Sequence, residues 1–446
     1  MFMKRPKRTK LLAAFGVAAM LLAACGGDDA ADEPAAETTV DTATEDAAAT
    51  TAPAVTTAPA SDDDTADDQV VITVWAPLGA EEMMAVAPLY EEETGIKVDV
   101  IVKDFSSGFQ EYEDIQPTGN GPDMLVLAHN QLGVYVKSGF LTPIELGAAE
   151  AEFNPTAVTA ITYEGQKWFV PFTVENVGLF RNADLVPDPV TSWDEMVQIS
   201  QDLVDAGEAD ERLLFGIDQT GGDAYHFYGL QTSYGVPIYG DDGTGSFDPA
   251  NVLPTDEKGL VFAEALAEWG ATGLINPNVT YDIATELFNS GRAPFWVTGP
   301  WAVANMEEAG TNYVIDPIPS AGGETARPYA GIVGVGLNPD GPNLLAAQDF
   351  ATNFLTREDV QYMMYQAGAR PPAHSGALAQ AAAEDANIAA FGAIGEVAQP
   401  MPAFPCYGEV YTLWSPTQLQ ILRGDVEPSA WTDMTAKARE IMAGDC

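Results

Sequence analysis

The sequence predicts an α/β fold built on a sheet rich in parallel pairing, and three observations lead there. Residues 70–75 (VVITVW) form a short β-branched run, residues 81–93 repeat with helical spacing, and residues 96–102 (IKVDVIV) alternate as a second strand. Strand, helix and strand in succession mark a parallel crossover unit. Residues 124–127 then read as a further, fully buried strand. Finally, 446 residues at 46% hydrophobic content supply real cores for about two or three domains.

The chain opens on an address. Lys4, Arg5, Lys7, Arg8 and Lys10 precede an apolar run that ends in Leu22-Ala23-Ala24-Cys25. A basic start, a short apolar stretch and small residues before a Cys describe a secretory leader. The run is too short to span a bilayer. It resembles a bacterial lipobox, which implies a signal peptide over 1–24, cleavage before Cys25, and lipidation of that residue. Two or more acyl chains would anchor the protein stably to the membrane.

Residues 25–69 read as a disordered tether. Ala, Thr, Asp, Glu, Pro and Gly dominate it, with no aromatic and no Lys or Arg. Such a composition buries too little apolar surface to offset ordering entropy. A free chain of this length spans about 35–40 Å.

The body, from residue 70 onward, is acidic in its own right. The whole chain has 19 Lys+Arg against 66 Asp+Glu, a net charge of −47. With 13 acidic residues in the tether and five basic ones in the leader, the remainder keeps a net charge of −39. That excludes nucleic acid as a partner, because phosphate binding needs clustered cations. Three Cys and three His exclude a disulfide scaffold and a Cys/His zinc cluster.

The remaining elements follow in order. Thr94-Gly95 closes the first helix. Residues 167–172 (KWFVPF) and 177–182 (VGLFRN) read as strands, and 193–203 as a helix capped by Ser192. Residues 255–269 read as a helix, 293–297 and 332–337 as strands, and 343–355, 358–366 and 431–442 as helices. No period of 20–50 residues repeats.

Motifs for catalysis are absent. The chain has no GxxxxGK[ST], HExxH, GxSxG or EF-hand loop. Gly331-Ile332-Val333-Gly334-Val335-Gly336 lacks the GxGxxG spacing and lies inside a strand pattern. His129, His226 and His374 lie far apart and read as hydrogen-bonded structural residues. No cofactor or metal is expected.

A set of short segments carries a resemblance. Glu93-Thr94-Gly95-Ile96-Lys97-Val98 is followed by Thr118-Gly119-Asn120-Gly121-Pro122-Asp123 and by Ala128-His129-Asn130. Then come Tyr163-Glu164-Gly165-Gln166-Lys167, Pro171-Phe172-Thr173-Val174-Glu175, Phe288-Asn289-Ser290-Gly291-Arg292-Ala293 and Gly299-Pro300-Trp301-Ala302. In this order and spacing the body resembles the family 1 extracellular solute-binding proteins, and within them the maltose/maltodextrin-binding proteins of bacterial ABC importers. The resemblance implies a two-lobed periplasmic-binding-protein-like fold of class II type, with hinge strands and a central ligand cleft. One lobe would comprise 70–175 completed by 330–380, and the other 176–329 completed by 381–446. The implied function is capture of a neutral oligosaccharide outside the cytoplasm and its delivery to importer permease subunits, by a monomer that is not an enzyme.

The resemblance also implies a site. Trp301 and Tyr411 fall on sugar-stacking rings, and Glu175 on a hydroxyl-binding Glu beside the hinge. Asp223 and Tyr225 fall on a Glu-Pro-Tyr, Met401 on a cleft Met, and Asn130 and Gln131 on an Asp-Arg pair. These residue types suit a pyranose, whose apolar face takes a ring and whose hydroxyls donate to carboxylates in charge-assisted bonds. The chain departs from the pattern at Leu127, where a stacking Trp would stand, and at Ser415, where an Arg would. The loop after Trp75 is also shorter and lacks an Asp-Lys pair. A different or shorter glucoside than a long maltodextrin is therefore expected, at roughly −8 kcal/mol for micromolar binding. Trp75 and Trp414 read as packing.

Two other classes fit parts of this sequence. A membrane-anchored glycoside hydrolase would use a carboxylate pair, which 66 acidic residues always allow. A binding protein for another solute, such as a polyamine, phosphate or ferric ion, would share the fold. Cys406 and Cys446 are the only cysteines beyond the lipid anchor, and in an oxidising compartment they are expected to form a disulfide.

Overall fold

The computed structural model describes residues 69–444, apart from 106, 242–246 and 254–255. The signal peptide, Cys25 and the tether as far as residue 68 lie outside the described residues, as does Cys446.

The first strand, Val71–Ala76, buries alternate side chains, with Ile72, Val74 and Ala76 inward. It pairs in parallel with Lys97–Val102 and with Met124–Ala128. Between the first two strands runs the helix Ala80–Thr94, closed by Gly95 at φ 76, where the left-handed turn favours glycine. The long strand Tyr329–Leu337 pairs antiparallel with Met124–Ala128 on one side and with Phe169–Asn176 on the other. All nine of its residues are buried, so three glycines within it make room for close packing rather than for a phosphate. Gln399–Pro400 completes this six-stranded sheet beside Tyr329 and Ala330.

Asp123 locks the sheet. Its carboxylate accepts from the Thr73 N–H at 2.8 Å, from the Thr73 hydroxyl at 3.0 Å and from the Asn343 N–H at 2.6 Å. The Gly-Pro-Asp segment of the resemblance is thus a structural joint.

A second sheet has the order Tyr313–Asp316, Gly178–Asn182, Phe295–Thr298, Leu213–Leu214. Here Arg292, from the Phe-Asn-Ser-Gly-Arg segment, forks onto Asp210. Arg181 lies buried and pairs with Asp316 at 2.7 Å.

Two large cores accompany the two sheets. One gathers residues between Ile72 and Phe172 and between Ala330 and Ala373. The other gathers residues between Val177 and Tyr329 and between Tyr407 and Ala438. The chain passes from one to the other at Asn176–Gly178 and again at Tyr329–Ala330. A third passage runs through the helices Ser375–Glu384 and Ala386–Gly395, the latter setting Phe391 and Ile394 against the second sheet. Ala398 and Ala403 touch the first core while Met401 and Phe404 touch the second. Among the described residues no helix is long and apolar enough to cross a membrane.

Several expectations shift in detail. The strand expected at 167–172 runs over Phe169–Asn176, because Tyr329–Leu337 pairs along its length to Asn176. The helix expected at 343–355 divides into Leu344–Asp349 and a π-helical turn, Phe350–Phe354. Helices not expected from the sequence include Ala224–Ser233, Tyr281–Asn289 and Tyr407–Arg423. The first is buried from Phe227 to Ser233, so no polar face marks its period. The last contains Pro416.

Candidate functional site

The candidate site forms where the two cores meet at Gly331. Glu175 lies opposite Gly331 in the antiparallel ladder and is 7% exposed. Tyr225 approaches the same glycine from the start of the helix Ala224–Ser233: a Cβ on Gly331 would stand 3.2 Å from the Tyr225 hydroxyl.

Asp223 caps that helix and fixes Tyr225. Its Oδ1 accepts from the His226 N–H at 3.4 Å and faces His226 Nδ1 at 2.6 Å. A side-chain oxygen at this position satisfies a backbone donor that the helix leaves unpaired. The other oxygen, Oδ2, is buried without a hydrogen-bond partner among the described residues. Burial raises the Asp223 pKa, and His226 pulls it back. Ser415 adds a second tie by accepting from the Ala224 N–H at 3.0 Å.

Aromatic rings gather around Tyr225. Trp301 sits in the turn Pro300–Ala302, half-buried between two hydrophobic clusters. Its ring centroid is 6.2 Å from Tyr225 and 5.6 Å from His226, which meets it edge-on. Tyr225 in turn stacks toward Tyr329 at 5.9 Å, and Tyr329 lies on Tyr228 at 3.7 Å. Tyr411 reaches the Ser415 hydroxyl and the Tyr225 backbone, and burial raises its pKa, as does the nearby Asp223.

Polar groups gather around Glu175. Glu175 Oε1 accepts from Arg370 Nη1 at 2.9 Å, and Arg370 Nε lies 3.3 Å from the buried Glu82. Burial raises the Glu82 pKa, with Arg370 opposing it. Burial also works against the Arg370 charge, and Glu175 and Glu82 outweigh it, so its pKa is raised.

Of the residues selected from sequence, Glu175, Asp223, Tyr225, Trp301 and Tyr411 come together here. Asn130, Gln131 and Met401 belong to an adjacent joint built on His129. The Ile332 N–H donates to His129 Nδ1 at 3.1 Å, so the ring proton sits on Nε2 and is donated to the Met401 carbonyl at 2.9 Å. Burial lowers the His129 pKa to about 4. Asn130 and Gln131 complete the turn His129–Gln131, and Gln131 Oε1 is buried without a hydrogen-bond partner among the described residues. Leu127 is core.

Sequence reading missed Arg370 and Glu82, and it took His226 as a hydrogen-bonded structural residue, which pairs here with Asp223. Arg370 has one legible signal, being one of few cations in an acidic body and standing before Pro371-Pro372. His226 follows Tyr225 directly, yet its role depends on the fold bringing Trp301 beside it.

A cavity of about 590 Å³ opens elsewhere, lined by Tyr163, Tyr239, Glu324, Arg327, Gln399 and Phe404 among others. It shares only Met401 with the selected residues. Among the described residues no group of three or more His, Cys, Asp or Glu is placed to hold a metal ion. Cys406 is disulfide-bonded.

Comparison with known proteins follows the same lines. A family model described as "Bacterial extracellular solute-binding protein" matches residues 85–390. A maltotriose-binding protein of Pyrococcus abyssi (strain GE5 / Orsay) is 26% identical over 304 residues, covering 65% of this chain and 63% of the relative. This chain thus spans a little under two thirds of that relative's length. A maltooligosaccharide ABC transporter solute-binding lipoprotein of Streptococcus pneumoniae (strain ATCC BAA-255 / R6) is 24% identical over 355 residues, covering 78% of this chain and 82% of the relative. The structure of the Thermus thermophilus maltotriose binding protein bound with maltotriose superposes with a TM-score of 0.74 at 26% identity, covering 83% of this chain and 99% of that one.

Proposed function

This chain belongs to the bacterial extracellular solute-binding family, and on that premise we propose that it captures a neutral oligosaccharide and delivers it to the permease of an ABC importer. The ligand class is a maltodextrin or a related glucoside. The observation that carries the reading is that Glu175 and Tyr225 meet at Gly331, with the Trp301 ring 6.2 Å from that of Tyr225. A carboxylate for hydroxyls stands there beside rings for a sugar face.

We read 70–175 with 330–380 as one lobe and 176–329 with 381–446 as the other. The separate cores on either side of the passages at Asn176–Gly178 and Tyr329–Ala330 support that division. Ligand touching both lobes favours the closed form, because it binds that form better. The protein works as a monomer, breaks no bond in its ligand, and is held to the outer face of the membrane through lipid on Cys25. The lipoprotein name of the Streptococcus relative agrees with that anchor.

A polyamine is disfavoured, since Arg370 places a cation against Glu175 where an ammonium would have to bind. Calorimetric titration with maltose, maltotriose and a galactooligosaccharide tests the reading, with spermidine as a control. Micromolar binding of one sugar without turnover is expected. Tight spermidine binding, release of shorter sugars by the pure protein, or no heat from any saccharide at millimolar concentration overturns it.

A further inference from the structure

We infer that Arg370 is itself a ligand contact: with Glu175 it offers a donor and an acceptor side by side, the arrangement that grips two neighbouring hydroxyls of a sugar. The inference rests on the saccharide reading of this site and deepens it.

The geometry leaves the right atoms free. Arg370 spends Nη1 on Glu175 Oε1 at 2.9 Å, and its Nε faces Glu82. Among the described residues its Nη2 makes no hydrogen bond, nor does Glu175 Oε2. The two side chains keep 19% and 9% of their surface exposed, so the pair is not sealed from solvent. The charge of Arg370 is also felt by Tyr281, which packs against the smaller cluster around Trp296 and Phe288.

The local backbone is built to hold it there. The helix Glu358–Gly368 ends on Ala369 at φ 55, a left-handed turn that alanine adopts at a cost. Gly368 is needed just before it, because a Cβ there would collide with Glu82 Oε1. Glu82 in turn is 2% exposed, and among the described residues its Oε1 has no hydrogen-bond partner, only the nearby cation. This arrangement holds the guanidinium between two carboxylates, with Nη2 making no hydrogen bond among the described residues. Asn130, Gln131 and Ser415 bring no charge to the neighbourhood. A planar fork of five donors beside a carboxylate suits a vicinal diol, in which each hydroxyl both donates and accepts.

The test is a double-mutant cycle on the full chain, titrated with maltotriose. R370M is expected to weaken binding at least tenfold, and R370K to fall between it and the wild type, since lysine keeps the charge but not the fork. The deciding comparison is E175Q against E175Q/R370M. If Arg370 only positioned Glu175, removing it after Glu175 is neutralised would cost nothing. A direct contact predicts a further loss of at least threefold. Should R370M fail to melt cooperatively, E175Q/R370K gives the same comparison with the charge retained. Equal affinities for E175Q and the double variant, in a wild type that binds maltotriose, overturn the contact. A wild type that binds no saccharide overturns instead the reading on which it rests.

Discussion

The Tyr225 hydroxyl occupies the space that a side chain on Gly331 would need, 3.2 Å from where its Cβ would stand. Gly331 belongs to the long strand of the first sheet, and Tyr225 begins a helix packed on the second core. Its backbone lies outside the left-handed region, so an alanine there meets no backbone strain. G331A is therefore expected to move the Tyr225 hydroxyl and leave the strand intact. Maltotriose affinity should fall about three- to tenfold, with the unliganded melting temperature changed by less than about 2 °C. G334A is the contrast, because its Cβ would stand 2.8 Å from the Val170 carbonyl oxygen. That variant should lose melting temperature. An unchanged titration for G331A would remove Tyr225 from the site.

Trp301 is half-buried, and it meets Tyr225 and His226 at 6.2 and 5.6 Å. Half-burial leaves a face for a sugar ring while the remainder packs. W301A should cost about 2 kcal/mol of binding, near 30-fold, with W301F recovering part of it. Titration calorimetry reads both. Full affinity in W301A would mean that the ring serves packing alone.

How far the sequence disclosed this arrangement differs from residue to residue. The first sheet was legible because Ile72, Val74 and Ala76 alternate inward with period two. Trp301 and Glu175 were legible because each stands in a short segment with a family resemblance. Arg370 was not, since its meaning depends on a strand 195 positions away. Equally, the Gly-Pro-Asp and Phe-Asn-Ser-Gly-Arg segments mark the family without touching the site. Asp123 and Arg292 are joints, so a shared motif can record folding rather than binding. The helix holding Tyr225 hid because its buried length shows no polar stripe.

Asp123 offers a test of that distinction. It is fully buried and accepts from Thr73 and Asn343. Hydrogen bonds to a charged acceptor contribute about 1.5–3 kcal/mol each, and stranding their donors costs more. D123A should lower unfolding stability by about 3 kcal/mol or more in chemical denaturation. The fraction that stays folded should bind maltotriose with wild-type affinity. A variant of full stability would show that the joint between Val71–Ala76 and the Asn343 turn is held by other contacts.

His129 gives the fold a pH dependence of known sign. In the folded protein burial holds its pKa at about 4, against 6.5 for the free side chain. Both nitrogens are committed, with Nδ1 accepting from Ile332 and Nε2 donating to Met401. A proton on Nδ1 would break the first bond and put a charge where no water reaches. As pH falls below 6.5 the unfolded chain therefore takes up a proton that the folded chain refuses, and stability declines until about pH 4. A gap of this size corresponds to about 3 kcal/mol lost across that window. Above pH 6.5 the residue is neutral in both states and contributes no slope. Glutamine can mimic one acceptor and one donor without titrating, so H129Q should cost about 1–2 kcal/mol at pH 7.5. Its deficit should then shrink, and reverse, toward pH 4. Carboxylates titrate in both proteins, so the difference between their stability curves isolates the histidine. Parallel curves from pH 7.5 to 4 would mean that His129 is not held neutral, and that the link between the Asn130 turn, the long strand and Met401 does not depend on its tautomer.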